Sequence, residues 1–397
     1  MFRKFTPEEE LLLCCARTRL ETPTAARVGE LLESGVDWDR LIVLAREHSV
    51  TQLLYWHLSD RVQNVAPTAF TKELQRDFRA NVGHNLYLAG ELLRLLPLFE
   101  TDGIPVIAFK GPVFAVDVYK SIALRAFDDL DILLRKHDLA RATKALASAG
   151  YMPWHSGSHV KDMLDLKQRA IEREFENVAQ KHLQIDVHWD LLGPQDACKL
   201  NVADVFRHAR VTQLFNRELR TLSLEDSLLY SCIHATKHTW MRLSWICDIA
   251  EIIRAHPSIN WESLAEKARH AHSRRMLDVG LLAAADLLDA PVPGHVLDRI
   301  KRDSSAEKFI AQAKWRLFDE ETETLPLPYI YALRRIAMQE RLADKLTVFL
   351  WFALVPTPDD YDVVRLPLQI SGLYFAIHPL LFALMLALTR PWLSEYR

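Results

Sequence analysis

The stretch LRAFDDLDILL, residues 124–134, places three aspartates inside an apolar run that predicts a buried β-strand. Successive side chains of a strand point to opposite faces, so Asp129 and Asp131 project together while Asp128 faces the other way. Carboxylates on a buried strand indicate a bound metal ion or a cationic substrate. The structural alternative is a strand edge, where the acids are solvated or paired with Arg125.

A second acidic strand is predicted by HLQIDVHWDLL, residues 182–192, in which apolar and polar residues alternate. Its polar face comprises Gln184, Asp186, His188 and Asp190. Two neighbouring strands of this kind would bring Asp129, Asp131 and Asp186 together. Like charges that lie close take up protons unless a cation lies among them. A hard divalent ion such as Mg²⁺, which binds carboxylate and phosphate oxygens, is therefore the expected cofactor.

The rest of the sequence predicts an α+β fold in which a small mixed β-sheet is flanked by helical regions. Apolar residues recur at three- and four-residue spacing through residues 1–100, which predicts a helical N-terminal region. Residues 101–195 hold the short strand GIPVIAFKG, the two acidic strands, and a hairpin that joins REFENVAQ to the second acidic strand. Helices return over 196–397, where 224–256 predicts the longest helix, capped near Ser223.

Composition argues against several classes of protein. The 397-residue chain has a net charge of −3, so it lacks the basic field typical of nucleic-acid binding, and no nucleic-acid partner is expected. Five cysteines without CxxC spacing predict reduced thiols in the cytoplasm, and no export signal is expected. No two glycines lie closer than six residues, which excludes the GxGxxG and GxxxxGK[ST] nucleotide motifs.

The C-terminal tail is strongly apolar. Residues 366–389 contain no Asp, Glu, Lys or Arg, and about 20 such residues suffice to cross a bilayer. The interruptions at Pro367, His378 and Pro379 favour a buried helix instead. Membrane contact through 346–389 is the alternative, so the expected location is the cytoplasm, either free or membrane-associated.

Three motifs in this order resemble the uncharacterised nucleotidyltransferase family of the polymerase-β-like superfamily. They are GIPVIAFKGP from Gly103, the segment Arg125-xxx-Asp129-Leu130-Asp131, and Asp186-Val187-His188-Trp189. The resemblance runs from about residue 45 to the C-terminus, and its motifs are specific only in combination. It implies a Mg²⁺-dependent enzyme that moves a nucleoside monophosphate from a nucleoside triphosphate to a hydroxyl group and releases pyrophosphate. The acceptor stays open among small molecules, sugars, peptides and proteins.

The same resemblance implies roles for individual residues. Asp129, Asp131 and Asp186 would hold two Mg²⁺ ions, and Asp186 would also promote deprotonation of the acceptor. Many members of the wider superfamily have a Gly-Ser turn where this chain has Lys110 and Gly111. Lys110 supplies a point charge for phosphate, and Gly111 permits close approach of the backbone, but no serine hydroxyl is available.

Two residues beside the acids carry alternative predictions. Arg125 is predicted to clamp phosphate, with an ion pair to Asp128 as the structural alternative. His188 shares a strand face with Asp186 and is predicted to orient a metal-bound water. A histidine that simply packs on the strand is the alternative.

A stripe of basic and aromatic residues follows the predicted long helix. His234 and His238 lie four residues apart, and the same face continues to Arg242 and Trp245. With Lys237, this stripe predicts contact with the triphosphate through its charges and with the base through the tryptophan. The alternatives are a polar seam between helices and a zinc site, although the glutamate of HExxH is missing.

A non-catalytic role is the second hypothesis for the whole chain. A nucleotidyltransferase fold without turnover would act as an antitoxin-like or accessory binding protein, or at the membrane in surface-polymer or peptide biosynthesis. The presence of all three acids and of the Lys-Gly turn favours an enzyme.

Overall fold

The computed structural model describes residues 4–62, 65–155, 158–168, 171–302, 304–318 and 327–393. Its first helices are α1 Pro7–Cys15, α2 Thr22–Glu33, α3 Trp38–Glu47, α4 Thr51–Leu58 and α5 Thr68–Thr101. Local sequence sets where some of them begin: Thr6 forms a capping box with Glu9 before α1, and the Asp37 side chain caps α3. The helical character predicted for this region is confirmed.

A mixed five-stranded sheet follows α5. Its strands are β1 Ile107–Phe109, β2 Asp129–Leu133, β3 Tyr151–Pro153, β4 Glu172–Asn177 and β5 Gln184–His188. Their spatial order is β1-β2-β5-β4-β3; β2 and β5 run parallel, and every other neighbouring pair is antiparallel. Between the strands lie α6 Gly111–Asp117, α7 Leu139–Ser148 and α8 His159–Gln168. The two acidic strands are therefore direct neighbours.

Helices dominate the rest of the described chain. After α9 Val202–His208 comes a hairpin of β6 Arg210–Leu214 and β7 Arg217–Thr221. The following helices are α10 Leu224–Lys237, α11 Leu243–Ala255, α12 Trp261–His270, α13 Arg274–Leu288, α14 Gly294–Lys301, α15 Ser304–Arg316, α16 Leu327–Met338, α17 Leu342–Leu354, α18 Pro358–Val363 and α19 Tyr374–Leu393.

The α+β fold expected from the sequence is confirmed, including both acidic strands and the hairpin of β4 with β5. Ser223 caps α10 as predicted, through a hydrogen bond from Asp226 N. The prediction of one helix over 224–256 is wrong. Thr239 and Trp240 have φ angles of 54° and 61°, which end α10 and separate it from α11. Neither β3 nor the β6–β7 hairpin was predicted from the sequence.

Two large apolar cores and one small cluster around Leu164 and Tyr374 organise the described residues, and α5 contributes to both large cores. The first core packs the N-terminal helices against α9 to α15 and includes Phe70 and Leu74 from the first half of α5. The second core covers the sheet and includes Leu88, Leu95 and Phe99 from the second half of α5. One continuous helix therefore fixes the sheet relative to the helical part.

The apolar tail is half buried rather than wholly buried over residues 366–384, whose side chains the structure describes. Its helix α19 begins only at Tyr374, which is fully buried, and Phe382 is 5% exposed. On the opposite side of the helix, Leu380 and Leu384 are 71% and 56% exposed. Within the described ranges, no helix has both the length and the apolar character needed to cross a membrane. Membrane contact through 346–389 stays a prediction.

A buried ion pair joins the tail helices. His378 of α19 lies with Nδ1 2.8 Å from Asp360 Oδ2 and with Nε2 2.9 Å from the Phe352 carbonyl oxygen. Burial opposes the charged form, but these two acceptors outweigh it and raise the pKa of His378 above its ordinary value of 6.5. The imidazolium therefore links α17, α18 and α19.

We expect the His378→Gln variant to loosen the tail by about 3 kcal/mol, because it leaves one partner of a buried ion pair alone. A raised pKa means that the contribution is complete below pH 6.5 and is lost as the pH rises through the folded-state pKa. Hydrogen exchange of the α19 amides, converted to opening free energies at pH 6 and pH 9, measures both effects. The exposed His295→Gln variant is the control; an equal loss in both variants would contradict the assignment.

Candidate active site

The register of the parallel strands brings the acids together. Asp131 of β2 lies directly opposite Asp186 of β5, and Asp129 lies two residues earlier on β2. Cross-strand partners project from the same face of a sheet, and so do residues two apart on one strand. The three aspartates therefore share one face of the sheet.

Asp131, Asp186 and His188 form the tightest group on this face, which we call the acid cluster. One ligand atom from each lies within 4.8 Å of the other two. Asp131 Oδ1 accepts a hydrogen bond from Lys110 Nζ at 2.9 Å and lies 3.0 Å from His188 Nε2. The second oxygen, Oδ2, is buried and has no hydrogen-bond partner in the described part of the chain. An orphaned buried carboxylate oxygen is costly, and a cation fits it well.

Electrostatic coupling extends the group to Asp129. The negative charge of Asp131, followed by burial, raises the pKa of Asp129 to about 6. Burial, followed by Asp131, raises the pKa of Asp186 to about 7. Burial also opposes ionisation of Asp131, but the charge of Lys110 and the contact with His188 lower its pKa to about 2. One carboxylate is thus compensated within the protein, and the other two favour an added cation.

The turn between β1 and α6 positions Lys110. Its backbone has φ 57° and ψ −156°, an uncommon conformation for a residue with a side chain. Gly111 follows with φ 46°, and a Cβ atom there would lie 3.2 Å from the Asp129 carbonyl oxygen, so the turn packs directly on β2. Although burial opposes the charge, Asp131 raises the pKa of Lys110, and the side chain stays an ammonium.

Arg125 pairs with Asp248 of α11, so the predicted alternative of a pair with Asp128 is wrong. Its Nε and Nη2 atoms donate to the two Asp248 oxygens at 2.8 and 2.9 Å, and Tyr119 Oη donates to the same carboxylate at 2.7 Å. The Asp128 side chain is instead 99% exposed. Arg125 therefore ties the segment before β2 to α11, while its role as a phosphate clamp stays a prediction.

Two helices, rather than one, build the predicted basic stripe. The ring centroids of His234 and His238 lie 4.7 Å apart, and Trp245 of α11 lies 4.9 Å from His238. Tyr230 connects this stripe to the acid cluster, because its ring lies 5.8 Å from the His234 ring and 5.2 Å from Lys110 Nζ. The stripe predicted from helical spacing is therefore continuous with the acids.

The positive charge of the stripe comes from Lys237 and Arg242 and not from its two histidines. Burial and then nearby cations lower the pKa of His234 well below its ordinary value and that of His238 to about 3, so both rings are neutral. Lys237 and Arg242 make no ion pair within the described ranges, and the Arg242 guanidinium carbon lies 5.7 Å from the Trp245 ring centroid. Across the described residues, only the acid cluster gathers three metal-binding side chains, so a zinc site at the two histidines is not supported.

Sequence reasoning missed Glu172 and Tyr230. Glu172 Oε2 lies 3.0 Å from His188 Nδ1, on the side of the ring away from Asp131. The available signal was an alternation of acids: Glu174 and Glu176 alternate within the predicted strand REFENVAQ, and Glu172, one residue before that strand, continues the same spacing. Tyr230 gave no signal, because its position depends on how α10 packs against β1.

Comparison with protein-family models matches residues 34–289 to the family described as "Uncharacterised nucleotidyltransferase". This match covers more than half of the chain, including every strand of the sheet and the basic stripe. Searches of the curated proteins and of the solved structures found no match.

We expect the Asp186→Asn variant to unfold at a higher temperature than the wild type at pH 8 without metal, because it removes a carboxylate whose pKa is raised to about 7. Mn²⁺ at a hundred times its dissociation constant should stabilise the wild type by about 2.7 kcal/mol. The variant should lose most of this gain. Differential scanning calorimetry with and without Mn²⁺ measures both quantities.

The exposed neighbour Asp128 supplies the control for this experiment. An Asp128→Asn variant should keep the wild-type unfolding temperature and the full Mn²⁺ effect, since its side chain lies outside the acid cluster. If both variants respond to Mn²⁺ like the wild type, the acid cluster does not bind the ion.

Proposed function

Because the chain belongs to the uncharacterised nucleotidyltransferase family, we propose that it transfers a nucleoside monophosphate from a nucleoside triphosphate to a hydroxyl group. Asp129, Asp131 and Asp186 would hold two Mg²⁺ ions, which when bound neutralise phosphate charge and acidify the acceptor hydroxyl. The proposal rests chiefly on one observation: Asp131, Asp186 and His188 converge within 4.8 Å, with Asp131 Oδ2 left without a partner among the described residues.

The reaction forms a bond between the acceptor oxygen and the α-phosphorus. The bond from the α-phosphorus to the oxygen that bridges to the β-phosphate breaks, and pyrophosphate leaves with that electron pair. We assign the acceptor proton to Asp186, which is half-buried and accepts no hydrogen bond from the described residues. Asp131 is less suited, since its Oδ1 is held between Lys110 and His188.

Cations beside the acid cluster supply the phosphate side of the site. Lys110 contacts Asp131 directly, and the charge of Lys237 interacts most strongly with Asp196 and Glu172 and more weakly with Lys110. Lys237 and Arg242 have no ion-pair partner in the described part of the chain, so both are available to pair with the phosphate oxygens of a nucleotide. His238 and the backbone at Gly111 are assigned to the same phosphate group, with His188 on the acceptor side.

We expect the Asp129→Asn variant to release pyrophosphate about a hundredfold more slowly than the wild type, because the bound metal ion would lose one carboxylate ligand. Each of the four nucleoside triphosphates is supplied with Mg²⁺ and a pool of hydroxyl-bearing metabolites, and pyrophosphate is measured with a coupled assay. Titration calorimetry of the same nucleotides should show binding that depends on Mg²⁺.

The adjacent substitution Asp128→Asn is the matched control, since it makes the same chemical change one residue away on an exposed side chain. It should keep full activity. Wild-type activity in the Asp129→Asn variant would overturn the enzyme proposal, and nucleotide binding without any metal dependence would favour a non-catalytic binding protein.

A further inference from the structure

A cavity lies directly beside the acid cluster, between α6, β7, α10 and α11. Lys110 lines it and also donates to Asp131, so this side chain is a wall common to the cavity and the acids. Much of the remaining wall is aromatic, formed by Phe109, Phe114, Tyr230 and Trp245. A small cavity with an aromatic lining favours a flat, apolar-faced guest.

Three polar groups of the cavity wall lack partners. The hydroxyls of Thr221 and Ser227 belong to residues that are only 5% and 8% exposed, and neither side chain has a hydrogen-bond partner within the described ranges. The His234 ring also makes no hydrogen bond there. Ser231, on the same wall, differs because its hydroxyl donates to the Ser227 carbonyl oxygen at 2.8 Å. Polar groups that line a cavity without a protein partner are free to bond a ligand.

The charged residues of the cavity neutralise one another. Arg125 donates to both oxygens of Asp248, and Arg210 is paired with Asp117, to which Nη1 donates at 3.1 Å. An anion entering the cavity would have to break these pairs. The cavity therefore suits a neutral guest, while the phosphate charge belongs on the far side of Lys110.

We propose that this cavity binds the base of the nucleoside triphosphate. A nucleobase combines a flat ring, which stacks on the aromatic wall, with an edge of donors and acceptors that meets Thr221, Ser227 and His234. Its ribose would carry the phosphates past Lys110 to the acid cluster. The inference rests on the proposed function, because a base site in this cavity is needed only if a nucleotide binds at the acid cluster. Ser227 and Thr221 are thereby assigned as determinants of base preference.

Two probes separate the base from the phosphates. Titration calorimetry with Mn²⁺ compares tripolyphosphate, which has no base, with non-hydrolysable triphosphate analogues of the four nucleosides. We expect at least one analogue to bind about tenfold more tightly than tripolyphosphate. Thr221→Val and Ser227→Ala should each weaken that analogue about fivefold, the cost of one hydrogen bond, and leave tripolyphosphate affinity unchanged.

Ser231→Ala is the matched control, because its hydroxyl lines the same cavity but is already bonded within α10. It should change the affinity less than twofold. Equal binding of analogues and tripolyphosphate would overturn the inference, as would an equal effect of Ser231→Ala and Ser227→Ala. Pyrophosphate release is a separate readout: its absence, with the predicted binding pattern intact, would refute the transferase proposal and leave the base site standing.

Discussion

The buried Asp131 and the half-buried Asp186 lie opposite each other on adjacent parallel strands, and ionising both carboxylates is unfavourable without positive charge beside them. The surrounding residues neutralise this negative charge only in part. The strained turn at Lys110 delivers one ammonium to Asp131, and His188 reaches the same oxygen. Asp129 and Asp186 keep pKa values raised to about 6 and about 7. The positive groups of the protein therefore do not fully neutralise the three carboxylates, and this remaining negative charge favours binding of a cation.

The helical part supplies the other half of the site through the interruption between α10 and α11. Had residues 224–256 formed one helix, Trp245 would lie about two turns beyond His238, too far for their rings to meet. The left-handed residues Thr239 and Trp240 turn the chain back, so the Trp245 ring comes within 4.9 Å of His238. A local backbone departure therefore creates an aromatic wall that regular geometry would not.

The acidic strands could be predicted from sequence because alternation of side chains along a strand is a local property, and the motif order strengthened the prediction. The register that sets Asp131 opposite Asp186 could not be predicted from the sequence, because it depends on pairing between residues far apart in the chain. Arg125 likewise finds Asp248 at a separation of 123 residues, although Asp128 was nearer in sequence. The break after α10 carries neither glycine nor proline, so no composition signal marked it. The local periodicity of the strands could be recognised in the sequence, whereas the partner that each residue contacts in the folded protein could not.

The long helix α5 has a consequence for how such a protein can arise. Its first half supplies Leu74 to the helical core and its second half supplies Leu88 to the core of the sheet, with no loop between them. A genetic exchange that moved the sheet alone would cut this helix and leave an exposed apolar face on each product. The two parts are therefore expected to pass together from ancestor to descendant, and the fold resists the domain shuffling that a flexible linker would permit.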